Sequence, residues 1–218
     1  MESGMKTRVA AAMAAFLLMT VSAFAADAAT ALQPPPGVRV AIVVFEDLEC
    51  PSCSSAEPML KNAEQSEHVP LVRHDFPIPQ HKWSGEAHVY ARYFDTVSPA
   101  LGEEYRHWIF TNQRVINKSN FLDKTNQFAA EHKTSVPLFV DPSGQLKAKV
   151  TADFNLGQQI GVTQTPTIYV VGEGQQPMQV SDPSQIVATI DAMKRLVPEK
   201  VATKASPKKT SHKSSKKK

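Results

Sequence analysis

Cysteine is scarce in this sequence, because the 218 residues contain only two, Cys50 and Cys53. A structural zinc site usually takes four cysteine or histidine ligands, so two cysteines alone do not predict a metal centre. A purely structural disulfide between them would close a very short loop, which constrains the unfolded chain little. The pair is therefore interpreted as a redox site.

Long apolar runs are also missing, apart from one at the amino terminus. No segment after residue 25 is apolar enough to cross a bilayer, which takes about 20 such residues. Lys6 and Arg8 precede an apolar run over residues 9–21, and Ala-Phe-Ala at residues 23–25 has the small-x-small pattern of a cleavage site. We therefore predict a signal peptide at residues 1–25 and a periplasmic or secreted protein. The alternative is an uncleaved membrane anchor.

Aromatic residues are absent from the basic carboxyl end. Residues 201–218 contain seven lysines and no interleaved aromatics, so the sequence predicts no specific nucleic-acid partner. Such a segment buries too little apolar surface to order itself, which predicts a disordered Lys-rich tail. Its role is either to keep the protein soluble or to contact an anionic envelope surface. Of the net charge of +3, the tail carries +7 and the signal peptide +1, which leaves −5 on the rest.

The most informative stretch surrounds the two cysteines. Residues 38–45 are rich in valine and predict a buried strand, and the acidic residues 46–49 connect it to Cys-Pro-Ser-Cys and a helical segment. A C-x-x-C motif between a strand and a helix is typical of a redox site. Cys50 is expected at the helix N-terminus, where free N–H groups favour a thiolate. Pro51 suits the first helical turn, and Cys53, one turn later, can form a disulfide with Cys50.

The helix alone does not make Cys50 a strong acid. A helix dipole contributes about 0.3–1 kcal/mol, and at most ~2 kcal/mol, or roughly one pKa unit. A strongly lowered pKa would need N–H bonds to the sulfur and help from Pro51 and Ser52. The acids Glu46, Asp47 and Glu49 would raise the pKa if they lay close to the thiol.

The remaining pattern predicts an α/β fold. Residues 69–78 form a second strand that follows the first helix, and such a strand-helix-strand unit predicts parallel pairing. Residues 81–132 have helical spacing, and residues 136–140 predict a short strand. Pro166 opens a strand over residues 167–171, with its peptide bond either trans or cis. A hairpin turn at residues 172–174, an edge strand over residues 177–180 and a helix over residues 184–196 follow.

Two motifs together resemble a known family, the DsbA-like thiol:disulfide oxidoreductases of the thioredoxin superfamily. Residues 45–53, Phe-Glu-Asp-Leu-Glu-Cys-Pro-Ser-Cys, resemble the active-site strand and helix start of that family, and Gly161-Val162 with Thr165-Pro166-Thr167 resembles its cis-proline loop. The resemblance covers residues 38–197 and implies a thioredoxin fold with an inserted helical subdomain. With the segments found above, the predicted division of the chain is a signal peptide (1–25), a Pro-rich linker (26–37), a first thioredoxin-fold part (38–82), a helical insertion (83–149), a second thioredoxin-fold part (150–200) and a disordered Lys-rich tail (201–218).

The resemblance also implies roles for individual residues. Cys50 corresponds to the exposed nucleophile and Cys53 to the resolving thiol, while Thr165 and Pro166 form the wall that faces the disulfide. Many thioredoxin-like proteins have a buried acid six residues before the first cysteine, but Val44 occupies that position here. The acid that assists proton transfer would therefore be Glu46 or Asp47. Neither an organic cofactor nor a metal is implied.

The predicted function is disulfide donation to envelope or secreted proteins. The expected partners are protein thiols and disulfides, together with a membrane partner that reoxidises the site. Ser52 brings no positive charge beside the thiols, which leaves a reductase or isomerase of the same fold as an alternative. A further alternative is a non-catalytic binding module with a thioredoxin fold, in which the tail is the working part.

Overall fold

The computed structural model describes residues 31–197. The predicted signal peptide, residues 1–25, and the predicted tail, residues 201–218, lie outside the described residues. Four strands and six α-helices make up the described part of the chain. In chain order they are β1 (Val40–Glu46), α1 (Pro51–Glu67), β2 (Leu71–Asp75), α2 (Ser84–Val97), α3 (Pro99–Asn112), α4 (Phe121–Glu131), α5 (Gln145–Gln159), β3 (Thr167–Gly172), β4 (Met178–Val180) and α6 (Ile186–Leu196).

The four strands form one mixed sheet in the order β2-β1-β3-β4. Strand β1 pairs with β2 in parallel, with Ile42 opposite Leu71, as the strand-helix-strand pattern predicted. Strand β3 is antiparallel to both β1 and β4, and the β3–β4 hairpin was also predicted from its turn residues. The α/β class expected from the sequence is therefore confirmed.

Strand β1 is central because both of its faces are covered. All seven of its residues are buried, which explains the nearly continuous apolar run. Alternate side chains point to opposite faces of the sheet. Ile42 and Val44 pack in a cluster with residues of α1 and α6, whereas Val43 and Phe45 pack in a second cluster with residues near α5. The end of β1 is therefore a rigid support for the loop that carries Cys50.

Helices α2, α3 and α4 enclose a third cluster, here called the helical core. Its aromatic centre contains Phe94, Tyr105 and Phe128, whose rings lie with centroids 4.7–5.1 Å apart. The same cluster includes Cys50 and Cys53. The inserted helices thus pack directly against the two thiols.

The structure corrects one predicted element and places one predicted boundary inside a helix. Residues 136–140 do not form a strand and lie outside the four-stranded sheet, and Pro137 within the segment could not donate a ladder bond. Leu138 and Phe139 are instead 91% and 73% exposed. The boundary proposed between residues 149 and 150 falls within α5. Across residues 31–197, every helix is too short or too polar to span a bilayer.

Candidate active site

Cys50 occupies the N-cap of α1. Its backbone is extended, with φ −80° and ψ 121°, and its carbonyl accepts the first helical hydrogen bond from the N–H of Ser54 at 3.1 Å. Pro51 takes the first helical position, where its missing N–H leaves no bond unmade. Both cysteines are free thiols. Cys50 is 8% exposed and Cys53 3% exposed, so Cys50 is more enclosed than the exposed nucleophile that the resemblance implied.

The second predicted motif lies against the first. The Thr165–Pro166 peptide bond is cis. The Cys50 thiol donates a hydrogen bond to the carbonyl oxygen of Thr165, with 3.4 Å between the two atoms. Two short motifs that are 115 residues apart in sequence therefore meet at one sulfur atom.

The pKa values of the two thiols are shifted in opposite directions. A hydrogen bond from the Cys53 thiol, with further bonds from the side chain of Thr165 and from the N–H groups of Cys53 and Ser52, outweighs burial and lowers the pKa of Cys50 to about 5. Burial, followed by the hydrogen bond and charge of Cys50, raises the pKa of Cys53 well above its ordinary value. At neutral pH the reduced pair therefore holds one thiolate and one protonated thiol.

This difference predicts how the reduced protein titrates. We expect the alkylation rate of Cys50 by iodoacetamide to rise through a midpoint near pH 5, because only the thiolate reacts. In Cys53→Ala the midpoint should move upward, because the largest cause of the low pKa is removed. Alkylation rates measured against pH, with peptide mapping of the labelled cysteine, test this. A midpoint near ~8.5, the value of a free thiol, would contradict it.

Two of the three nearby acids are engaged by other groups. The carboxylate of Asp47 accepts hydrogen bonds from the N–H groups of Glu49 and Ile78 and lies 2.8 Å from Nδ1 of His81. The carboxylate of Glu49 accepts from the N–H groups at the start of α2, at 2.7 Å and 3.0 Å. Neither acid is among the main causes of the Cys50 pKa shift. The backbone N–H of Asp47, not its carboxylate, contacts Sγ of Cys53 at 3.4 Å.

Glu46 differs from these two acids. Burial is the largest influence on its carboxyl and raises the pKa to about 7, although the guanidinium of Arg73, 2.6 Å away, opposes the shift. Its Oε1 has no hydrogen-bond partner within residues 31–197. The Glu46 charge in turn raises the pKa of Cys53. Of the two acids considered from the sequence, only Glu46 has its carboxylate among the main causes of the Cys53 pKa shift.

Several residues that support the site were not found from the sequence. Nε2 of Gln113 donates to the carbonyl oxygens of Leu48 and Cys50 at 2.9 Å and 3.1 Å. The N–H of Leu48 donates to Nε2 of His88, whose Nδ1 lies 2.8 Å from Asp75. These residues lie 40 or more positions from the loop they hold, and they have no motif that marks them.

A groove of about 480 Å³ adjoins the redox pair, and Pro51, Ser52, Met59, Thr165 and Pro166 are among its lining residues. It joins the start of α1 to the cis-proline loop, so an extended chain in it would lie next to Cys50. Within the described residues there is no group of three or more His, Cys, Asp or Glu side chains that could hold a metal ion.

Comparisons with known proteins agree with this geometry. The family model described as Thioredoxin matches residues 36–192. A search of curated proteins finds no match. Among solved structures, the thiol-disulfide exchange protein alpha-DsbA2 from Wolbachia pipientis is 15% identical, with a TM-score of 0.58 and coverage of 74% of this chain and 85% of that one.

Two further structures are similar. ScsC from Proteus mirabilis, in a transitional conformation, is 14% identical with a TM-score of 0.61, over 77% of this chain and 74% of its own. A periplasmic thioredoxin-like protein from Salmonella enterica serovar Typhimurium is 17% identical with a TM-score of 0.59, over 73% of this chain and 87% of its own. At such identities the likeness establishes the fold. The family model covers more than half of the chain and shows that the chain belongs to the thioredoxin family.

Proposed function

We propose that the protein is an exported thiol:disulfide oxidoreductase that donates the Cys50–Cys53 disulfide to envelope or secreted proteins. The observation that carries this proposal is the pair of opposite pKa shifts at the start of α1, beside the cis-proline loop. A cysteine with a pKa of about 5 is a good leaving group, and its thiolate stabilises the reduced protein. Both effects favour donation of the disulfide.

The exchange would proceed in two steps. A substrate thiolate attacks Sγ of Cys50 in the oxidised pair, the Cys50–Cys53 bond breaks, and Cys53 leaves as a thiolate. A second substrate thiolate then attacks the substrate sulfur of the mixed disulfide, and Cys50 leaves as a thiolate. The substrate has gained a disulfide, and the protein has gained two electrons.

In the first step, Glu46 would supply a proton to the departing Cys53 thiolate. The Cys53 thiolate is enclosed and has a raised pKa, so it takes up a proton. Glu46, with a pKa of about 7, is partly protonated at neutral pH and can supply that proton, which solvent then replaces. Asp47 would contribute through its backbone N–H and through holding the loop.

The groove lined by Pro51, Ser52, Thr165 and Pro166 would bind the substrate chain as an additional extended segment.

Export rests on the predicted signal peptide and is supported by the Salmonella neighbour, which is described as periplasmic. A membrane partner that reoxidises the pair, contact of the tail with an anionic envelope surface, and the division into domains remain part of the proposal.

Equilibration of the protein with glutathione buffers tests the direction of exchange. A Cys50 pKa of about 5 lies between those of the oxidant DsbA, ~3.5, and the reductant thioredoxin, ~7. We therefore expect a reduction potential of about −200 mV, between ~−120 mV for DsbA and ~−270 mV for thioredoxin. A value at or below that of thioredoxin would favour the reductase alternative and overturn donation.

The variant Glu46→Gln tests the raised pKa of Glu46. A carboxyl whose pKa is higher in the folded state stabilises the fold at low pH, and that stability is lost as pH rises from the unfolded value of about 4.5 to the folded value of about 7. In the oxidised protein, where no thiol titrates, the free energy of unfolding should fall over this window by up to about 1.4 kcal/mol per pH unit. The glutamine variant should remove that fall.

Denaturant unfolding of the oxidised protein at several pH values measures this effect. Glu103→Gln is the matched control, since Glu103 contacts the same guanidinium of Arg73 but is 41% exposed. If the control flattened the pH dependence as much as Glu46→Gln does, the assignment to Glu46 would be wrong.

A further inference from the structure

A second groove, of about 640 Å³, lies between α2, α4 and the first half of α5. Its apolar lining includes Tyr90, Phe121, Leu122, Val140 and Val150. None of the residues that line the groove beside Cys50 lines this one. It is therefore a separate surface, and the exchange reaction described above does not use it.

The rim of this second groove is cationic. Lys82, Lys118 and Lys147 line it, and the single lining carboxylate, Glu86, is paired with Lys118 at 2.6 Å. Within residues 31–197, Lys82 and Lys147 have no ion pair. The chain without its predicted signal peptide and tail has a net charge of −5, so a positive groove contrasts with its surroundings. We call it the cationic groove.

Large apolar side chains stand exposed beside the cationic groove. Val140 lines it, and the two preceding residues, Leu138 and Phe139, are the most exposed large apolar residues in the described part of the chain. Their loop is anchored, because the hydroxyl of Tyr93 donates to the carbonyl of Ser135 at 2.9 Å and Val136 packs on the helical core. Adjacent apolar side chains held in water in this way mark an interaction site.

One end of the cationic groove reaches the active-site loop. His81 lines the groove, and its Nδ1 lies 2.8 Å from the carboxylate of Asp47. The backbone N–H of Asp47 contacts the sulfur of Cys53. A chain bound in the groove would thus lie close to the redox pair without covering Cys50.

We propose that the cationic groove docks an acidic segment, containing apolar side chains, of a protein that exchanges disulfides with this one. Lysines at the rim complement carboxylates, and Leu138, Phe139 and the apolar walls complement leucine or phenylalanine in the segment. A groove admits an extended chain, whereas a flat lipid surface would leave its walls uncovered. The identity of the partner as an exchange partner rests on the proposed function, but the binding itself does not.

Fluorescence anisotropy with short synthetic peptides tests the docking. One labelled peptide alternates glutamate with leucine and phenylalanine and lacks cysteine, and a second has lysine in place of each glutamate. We expect the full-length protein to bind the acidic peptide and not the basic one. Lys147→Glu should weaken binding about fivefold to tenfold, since a rim charge is reversed. Lys149→Glu is the matched control, because it is exposed on the same helix outside the groove, and it should leave binding within about twofold.

The apolar contribution is tested by Leu138→Ser combined with Phe139→Ser, which should also weaken binding, while Leu196→Ser should not. Thermal unfolding of each variant confirms that it is folded. Cys50→Ser should bind the peptide as the unaltered protein does, so a failure of the exchange chemistry and a failure of docking are distinguishable.

Three results would overturn the proposal. Equal weakening by Lys147→Glu and Lys149→Glu would assign binding to overall charge, including that of the tail. Binding to phosphatidylglycerol vesicles that Leu138→Ser and Phe139→Ser abolish, without peptide binding, would identify a lipid surface. A dimer in sedimentation that the same substitutions dissociate, again without peptide binding, would identify a second copy of the chain.

Discussion

Replacement of Cys50 by serine is expected to abolish thiol-disulfide exchange completely. A serine hydroxyl forms no disulfide and is not ionised at neutral pH, so neither the mixed disulfide nor the thiolate leaving group can form. Serine is also a favoured N-cap residue, and Cys50 is the N-cap of α1. The variant should therefore fold normally, so the loss of activity would report chemistry and not unfolding.

Cys53→Ser is expected to behave differently. The variant keeps the nucleophilic thiolate of Cys50 but lacks the neighbouring thiol that resolves mixed disulfides. It should therefore accumulate covalent complexes with substrate proteins. Oxidative refolding of reduced ribonuclease, insulin reduction and non-reducing electrophoresis measure these outcomes. Thr111→Ala is a suitable control, since the Thr111 hydroxyl is exposed, donates to the carbonyl of His107 at 2.9 Å and lies outside the groove beside Cys50. Full activity in Cys50→Ser would refute the exchange mechanism and favour the non-catalytic binding module.

Substitution of Arg73 by methionine should cause the largest loss of stability. The Arg73 side chain is 4% exposed and its guanidinium contacts the carboxylates of Glu46 at 2.6 Å and of Glu57 at 2.9 Å. Removing one partner of a buried ion pair leaves an uncompensated charge and typically costs about 3–5 kcal/mol. The loss should be smaller below the Glu46 pKa of about 7, where that carboxyl is protonated, and larger above it.

Denaturant unfolding of the oxidised protein on both sides of this pKa measures the effect. Glu103→Gln again provides the control, because it removes a half-exposed partner of Arg73 and should cost less than about 1 kcal/mol. If Arg73→Met were no more destabilising than the control, the two glutamates would not depend on Arg73 for their charge balance. Because Glu46 is proposed to exchange a proton with Cys53, the Arg73 variant should also alter the pH dependence of exchange.

The elements found from the sequence are those specified by local pattern. The valine-rich run predicted β1, Pro51 and the cysteine spacing predicted the start of α1, and the glycine turn predicted the β3–β4 hairpin. The prediction of a strand over residues 136–140 was wrong for a related reason. Their composition favours a strand locally, but a strand needs a partner, and the four-stranded sheet does not include this segment.

The sequence alone determined that two thiols, three residues apart, would lie where a helix begins, because helix starts and apolar periodicity depend on neighbouring residues. Only the tertiary structure decided how acidic each thiol is. The pKa of Cys50 depends on the hydrogen bonds that it accepts, first from the Cys53 thiol and then from the side chain of Thr165, and the pKa of Glu46 depends on burial and on Arg73. Desolvation and hydrogen bonding act through space, and they depend on how the start of α1 sets the two thiols together and on groups such as Arg73, 27 residues from Glu46, and Thr165, 115 residues from Cys50.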